Sequence, residues 1–176
     1  SYSSRDSGVS NSAIIVTVSD KDYGSNVLDG LKFQELLEEK AYALGNGCIP
    51  IQTFGDYKNN TINEKSFNNL KIKGKTKYAN INEIFPKEIN DSLKEAIDNF
   101  SHKIKGFNDE NTLIAAVESR TSSPVKFIRN EDMSSSVNGI YPIGEGSGYA
   151  GGITTSAIEG IKMAKVFMEK YYPDKK

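Results

Sequence analysis

The chain has 176 residues, which suits one domain, or one domain with a smaller lobe, and allows a sizeable core. Its 22 basic and 23 acidic residues give a net charge of −1 and form no long basic block, which argues against nucleic acid or an anionic membrane as a partner. The single cysteine, Cys48, excludes an internal disulfide, and no segment approaches the roughly 18 apolar residues of a membrane span, so we predict a soluble, cytoplasmic protein.

The first half of the chain predicts two strands and one helix. Ala13–Ser19 is a short β-branched run and predicts a buried strand. Leu31–Leu44 has apolar residues on one helical face, and Gly45 is expected to end that helix in the left-handed conformation. Cys48–Phe54 predicts a short strand that Pro50 restricts to a sheet edge or to a strand start.

The middle of the chain is its most polar part and leads into a second group of elements. Residues 56–82 predict long connections around one weak helical turn near Glu64–Leu70. Pro86 is expected to open a helix at its first position, with an apolar stripe that ends at Phe100. The later segments predict a strand at Thr112–Glu118, a hydroxyl-rich turn at Ser119–Pro124 and a strand at Val125–Arg129.

The segment Gly139–Gly160 holds seven of the fifteen glycines. A predicted strand, Ile140–Ile143, enters it, and a helix is predicted to begin just after Gly152. Glycines let a ligand approach the main chain closely, and the free N–H groups of a helix N-terminus favour an anionic or electron-rich ligand. The spacing fits neither G-x-G-x-x-G nor the P-loop, so a plain tight connection is the alternative interpretation.

The predicted last helix has an apolar stripe. Its members are Ala157, Ile161, Ala164 and Met168, widened by Ile158 and Phe167. Together the elements predict an α/β, mixed α+β fold. The chain lacks the first βα turn with G-x-G-x-x-G that a complete dinucleotide-binding fold requires.

Residues 112–165 closely resemble the C-terminal part of a family of bacterial FAD-dependent dehydrogenases, also labelled NAD-utilising dehydrogenases. The motifs ESRTSSPV and GEGSGYAGGI carry the resemblance, and segments at 4–18, 30–45 and 100–107 agree with it. The resemblance implies a substrate-side or cap lobe at 1–111. It implies that residues 112–176 are the last strands and helix of a Rossmann-like FAD/NAD(P)-binding fold whose N-terminal half is absent from this sequence.

The resemblance also implies which residues meet the cofactor and the substrate. The expected FAD contacts are Gly144, Glu145, Gly146, Tyr149, Ala150, Gly151, Gly152 and Ile153. The expected substrate-side residues are Arg120, Thr121, Ser122 and Ser123, with Arg5 and Asn11 as weaker candidates. For Glu145 the alternative is a solvated surface carboxylate, for Tyr149 a ring that staples the loop, and for the hydroxyl residues ordinary turn chemistry ahead of Pro124.

The resemblance implies the C-terminal part of an FAD-dependent oxidoreductase that passes a hydride or electrons between a small-molecule substrate and flavin, with NAD(P) as a further candidate cofactor. The missing N-terminal half would be its partner, and the fragment alone is expected to be inactive. The alternative is a non-enzymatic module that binds a small molecule or a protein. No catalytic acid or base is identified. His102 has no Cys or His partner nearby in sequence, so no metal site is predicted.

Overall fold

The computed structural model describes residue 6, residues 8–63 and residues 70–172. In these residues the elements, in chain order, are α1 (Asp20–Tyr23), α2 (Asp29–Gly45), β1 (Ile49–Thr53), α3 (Phe54–Asn59), β2 (Thr76–Tyr78), a 3-10 turn (Ile81–Glu83), α4 (Lys87–Ser101), β3 (Leu113–Ala115) and α5 (Ile153–Tyr171). The predicted mixed α+β fold class is confirmed. Within the described part of the chain, no helix is long and apolar enough to cross a bilayer.

The chain packs as two compact units. The first contains the described residues up to 19 together with 35–119, and the second contains 20–34 together with 120–172. The first boundary in the N-terminal part coincides with the start of α1, and the second, between residues 34 and 35, lies within α2. The predicted division into lobes at 111/112 concerns a longer protein and stays a prediction.

The sheet of the first unit has the order β2-β1-β3, so β1 is central. It pairs in parallel with β2 and antiparallel with β3. The expectation that Pro50 places this strand at a sheet edge is therefore wrong. Pro50 is the second residue of β1, and the β3 ladder begins at the next residue, where Ile51 pairs with Ala115. Pro50 does pair with Lys77 in the parallel ladder with β2, but the hydrogen bonds of that ladder are made by its two neighbours, through the Ile49 N–H and the Ile51 carbonyl. The missing N–H of Pro50 thus breaks no ladder hydrogen bond, which agrees with the strand-start alternative.

The core of the first unit lies where α3, α4 and the 3-10 turn meet the central strand. Its most deeply buried apolar side chains include Ile51, Phe54, Tyr57, Ile81, Ile84 and Ile97. Each such side chain stabilises the fold by roughly 1.5–3 kcal/mol relative to an exposed position. This unit is therefore held together by an ordinary apolar core.

A buried carboxylate beside this core organises the polar connections. Asp56 accepts hydrogen bonds from the Tyr78 hydroxyl (2.5 Å), from Thr61 Oγ1 (2.9 Å), and from the Asn63 backbone N–H (3.1 Å) and side-chain amide (2.6 Å). Burial alone would raise the pKa of Asp56, but these donors outweigh it and lower the pKa to about 2. Asp56 therefore ties α3, the 61–63 connection and β2 together as an anion.

The three longer predicted helices are confirmed, with small shifts at their ends. Gly45 is the last residue of α2 and does not adopt the left-handed conformation. That conformation falls on Asn46 (φ 50°) and Gly47 (φ 77°). Pro86 is the N-cap of α4 rather than its first residue.

Three predicted strands are absent from the structure. Ala13–Ser19, Val125–Arg129 and Ile140–Ile143 are irregular, and Thr112–Glu118 is reduced to the three residues of β3. β-Branched residues form a strand only where a neighbouring strand completes the hydrogen-bond ladder, and none lies beside these segments in the described chain. The predicted turn at Glu64–Leu70 and the candidate Arg5 fall on residues outside the described ranges, except for Leu70, which is irregular.

Asp56→Asn is expected to lower the free energy of unfolding at pH 7 by about 1–3 kcal/mol, because an amide cannot accept every hydrogen bond that reaches this carboxylate. The folded-state pKa of Asp56 lies below the ordinary aspartate value of 3.8. Its contribution is therefore fully present above that value and is lost as the pH falls towards 2. Urea unfolding should show that the difference in free energy of unfolding between wild type and variant becomes smaller as the pH is lowered.

Asp109→Asn is the matched control. Asp109 is exposed, and its Oδ1 accepts a hydrogen bond from the Asn111 N–H (2.8 Å) that an asparagine oxygen can still accept. We expect this variant to follow the wild type at every pH. If the difference in free energy of unfolding between Asp56→Asn and wild type stayed constant as the pH falls towards 2, the assigned role of the Asp56 anion would be contradicted.

Candidate functional site

The glycine-rich loop before α5 is a compact turn closed by its own main chain. The Tyr149 N–H donates to the Gly144 carbonyl (3.1 Å), and the Gly148 N–H donates to the Glu145 carbonyl (2.9 Å). The buried Ser147 hydroxyl adds a hydrogen bond to the Gly144 carbonyl (3.1 Å). These bonds fix the loop while the Glu145 side chain points into solvent as an exposed residue.

Gly148 packs this loop against the preceding segment. It has φ +80°, and a Cβ there would lie 2.8 Å from the Val125 carbonyl oxygen and 3.0 Å from Lys126 Cα. The Phe127 N–H donates to the Ser147 carbonyl (3.1 Å) beside this contact. Glycine is therefore required at 148 by both its conformation and its close backbone neighbour.

Arg129 joins the loop to the last helix. Its Nη1 donates to the Pro142 carbonyl (2.8 Å) and lies 2.8 Å from Glu159 Oε2 on α5. Its guanidinium carbon lies 3.6 Å from the centroid of the Tyr149 ring, and Lys126 Nζ lies 4.7 Å from the same centroid. One arginine thus holds two loop segments, an aromatic ring and a helix.

The Arg129–Glu159 pair is shielded from solvent. The two side chains are 13% and 8% exposed. The guanidinium lowers the pKa of Glu159 more than burial raises it, so the carboxylate is an anion. The contact at Oε2 is an ion pair without hydrogen-bond alignment, and among the described residues this oxygen accepts no hydrogen bond.

The N-terminus of α5 opens onto a shallow pocket. The pocket has a volume of about 450 Å³ and is lined by Gly151, Gly152, Ile153, Thr154 and Thr155. Gly152 is the N-cap and provides no side-chain cap, and the first turn contains no acidic residue. The first N–H groups of the helix and the positive end of its dipole are therefore available to a ligand in this pocket.

The packing of the described chain does not require glycine at 146, 151 or 152, and the last two of these line the pocket. A Cβ at Gly146 or Gly151 would meet nothing within 4 Å, and one at Gly152 would meet only Thr155 Oγ1 at 4.0 Å. None of the three has a positive φ. Neither backbone conformation nor packing in the described chain requires glycine here, so these positions leave room for a group from outside the chain.

Comparison with known proteins identifies the family. The family described as "FAD-dependent protein, C-terminal domain-like" matches residues 1–121. The chain belongs to this family. A Clostridium beijerinckii protein named "Uncharacterized protein" is 39% identical over 176 residues, and the match covers 97% of this chain but 33% of the relative. The chain therefore spans about a third of the length of the curated relative it matches.

The predicted membership of an FAD-dependent family, with this chain at the C-terminal end, is confirmed. The family match ends at residue 121, before the glycine-rich loop. The residues of that loop fit a flavin on their own chemistry, because Gly151 and Gly152 leave open space beside the N-terminus of α5 and no side chain of the helix neutralises or caps it. The dehydrogenase activity and the use of NAD(P) are not part of what the family match establishes.

The structure brings some predicted site residues together. Gly144, Glu145, Gly146 and Tyr149 share the closed loop, and the Ser123 hydroxyl joins them by donating to the carbonyls of Val125 (2.8 Å) and Gly146 (3.1 Å). Ala150, Gly151, Gly152 and Ile153 continue the chain into α5 and the pocket. Ser123 thus has the turn role that the alternative interpretation gave it.

Other predicted residues lie at the surface. Arg120, Thr121 and Ser122 are exposed, and the Ser122 carbonyl accepts a hydrogen bond from Gln34 Nε2 (3.4 Å). Their substrate-side role stays a prediction. Tyr149 makes the ring contact with Arg129 that the loop-stapling alternative requires, and its packing on a flavin stays a prediction.

Sequence reasoning missed Arg129, Lys126, Ser147 and Glu159. The available signal was a charged residue inside an otherwise apolar run, in VKFIR at 125–129 and in the helix at 159. His102 is the exposed C-cap residue of α4. Across residues 6, 8–63 and 70–172, no three His, Cys, Asp or Glu side chains are grouped as metal ligands would be.

Arg129→Met is expected to lower the free energy of unfolding by up to about 3 kcal/mol, since it removes the shielded counter-charge of the buried Glu159 carboxylate. The remaining cation is Lys162, whose Nζ lies 3.5 Å from Glu159 Oε1 but whose side chain is 61% exposed and therefore screened by solvent. The double variant Arg129→Met/Glu159→Met should recover much of this loss, because it removes both charges and fills the space with apolar groups. Urea unfolding followed by circular dichroism measures both effects.

The exposed Lys170–Asp132 pair, with side chains 43% and 48% exposed, supplies the control in the same unit. Asp132→Asn should change stability little, because exposed ion pairs are screened by solvent. An Arg129→Met variant no less stable than Asp132→Asn would show that the shielded pair does not hold this unit together.

Proposed function

We propose that this chain is the C-terminal part of an FAD-dependent oxidoreductase and that the loop at 144–152, with the start of α5, holds the flavin. The observation that carries the proposal is the pair Gly151 and Gly152, which line the pocket and face open space beside an uncapped helix N-terminus. Membership of an FAD-dependent family supplies the chemical identity of the group that would occupy this space.

In this proposal the main chain at the start of α5 recognises the cofactor. The N–H groups of Gly152, Ile153 and Thr154 would donate to an electron-rich edge of the flavin, and the helix dipole would stabilise negative charge there. The flavin supplies the capacity to accept and release a hydride or electrons. The chain itself tunes that capacity by its electrostatic field and contributes no named acid or base.

Side chains near the loop would complete the contact. The exposed Glu145 carboxylate can accept hydrogen bonds from sugar-alcohol hydroxyls, provided that N–H donors offset its repulsion of phosphate. Arg129 and Lys126 hold the Tyr149 ring in one orientation, which gives the loop a rigid wall. The exposed Arg120, Thr121 and Ser122 would then be available to a small-molecule substrate.

The rest of the flavin site would lie in the longer protein. Because this chain covers 33% of its Clostridium beijerinckii relative, the remaining part has room for the adenosine and pyrophosphate contacts. We propose that the 176-residue chain alone does not retain FAD. NAD(P) is proposed only as the second redox partner of the full protein.

Gly152→Val in the full-length gene product is expected to reduce bound FAD to well below one per protein, because a β-branched side chain would occupy the space in front of the helix N-terminus. The visible absorption spectrum of the purified protein, referred to its protein concentration, measures the stoichiometry. Circular dichroism of the same sample checks that the variant is folded.

Glu169→Val is the control. It places the same side chain on the same helix, at an exposed position near the helix C-terminus and therefore far from the pocket. It should keep the wild-type flavin content. If Gly152→Val also kept that content, the loop would not contact the flavin; if wild type bound none, a small-molecule-binding module would become the better interpretation.

A further inference from the structure

The last helix packs on the described chain with a narrow side that includes one carboxylate. Glu159 and Met163 are its buried residues, and its other anchor is Phe167, whose ring lies 4.8 Å from that of Tyr141. Glu159 is 6% exposed and faces Arg129. Of the apolar stripe that the sequence predicts for this helix, Phe167 at its edge packs on the described chain, whereas the main members, Ala157, Ile161, Ala164 and Met168, are exposed.

That stripe lies open to solvent. We call it the outer stripe and define it as Ile153, Ala157, Ile161, Ala164 and Met168, all of which are exposed. Ile153 is 94%, Ile161 60% and Met168 63% exposed. The residues recur every three to four positions, so they share one side of the helix over four turns. A continuous apolar surface of this kind marks a contact site.

Little else in the second unit offsets this exposure. In residues 20–34 and 120–172 the buried hydrophobic side chains are Met133 and Met163. A unit that buries so few apolar groups and exposes a whole helical stripe lacks the burial that normally offsets the entropy of folding. Covering the outer stripe would therefore add stability that this part of the chain lacks.

We propose that the outer stripe docks against the part of the same polypeptide that lies outside these 176 residues. The length of the relative supports this occupant, since about two thirds of that protein is not matched by this chain. Continuity supports it too, because the stripe begins at Ile153, which also lines the pocket at the helix N-terminus. The segment that covers the stripe would border the proposed flavin contact.

This inference rests on the proposed function only in treating the chain as one part of a longer flavoprotein. A bound flavin could itself cover Ile153, but Ile161 lies roughly 12 Å further along the helix axis, at 1.5 Å per residue. Protection of Ile161 would therefore report a polypeptide neighbour and not the cofactor.

The test is thiol labelling of the full-length gene product carrying Ile161→Cys, read at the α5 peptide by mass spectrometry. Glu169→Cys, on the same helix and exposed but outside the stripe, is the control. Each rate is referred to the rate of the same variant in denaturant. We expect Cys at 161 to react at least about tenfold more slowly than Cys at 169. Ala157→Cys repeats the test if Ile161→Cys does not fold.

Equal labelling at the two positions would overturn the proposal. A second result would also overturn it: Cys at 161 in the 176-residue chain alone becomes more protected from labelling as the protein concentration rises. A second copy of the chain would then be the occupant of the stripe. The flavin content of each sample is measured separately. If the stripe is protected but no flavin is bound, the docking proposal stands and the proposed function is wrong. If flavin is bound but the stripe is labelled freely, the proposed function stands and the docking proposal is wrong.

Discussion

The second unit depends on one shielded ion pair, Arg129 with Glu159. Removing two charges from water costs several kcal/mol per ion, and only close geometry with further hydrogen bonds offsets that cost. Arg129 meets this condition through the Pro142 carbonyl and the Tyr149 ring, at 2.8 Å and 3.6 Å. Because few apolar side chains are buried nearby, these polar contacts determine how the loop and α5 are arranged.

The orientation of the last helix follows from this pair. A helix that turns Glu159 towards Arg129 must turn the residues on its other side, such as Ile161, away from the same neighbours. The inward direction of Glu159 and the exposure of the outer stripe therefore have the same cause. The first unit shows the usual arrangement, in which the apolar core is inside and Asp56 is the buried exception.

The sequence predicts what is encoded locally. The bounds of α2, α4 and α5 follow from apolar periodicity, and β1 follows from a short apolar run next to a helix end. The segments at 13–19, 125–129 and 140–143 were wrongly predicted as strands, because a strand also needs a partner that composition does not reveal. The sequence likewise does not show which face of α5 packs, because that depends on Arg129, thirty residues earlier.

The candidate site is likewise only partly predictable from the sequence. A glycine-dense loop before a helix is visible in the sequence, but the reasons for its glycines are not. Gly148 is explained inside the chain by its contact with Val125, whereas Gly146 and Gly151 are not explained by any neighbour. The loop therefore combines a rigid side, held by Arg129 and Tyr149, with an open side. A ligand that binds at the open side of the loop therefore requires no rearrangement of its rigid side. Because a ligand that binds only the folded state shifts the folding equilibrium towards that state, its binding would stabilise the second unit, which has little apolar core of its own.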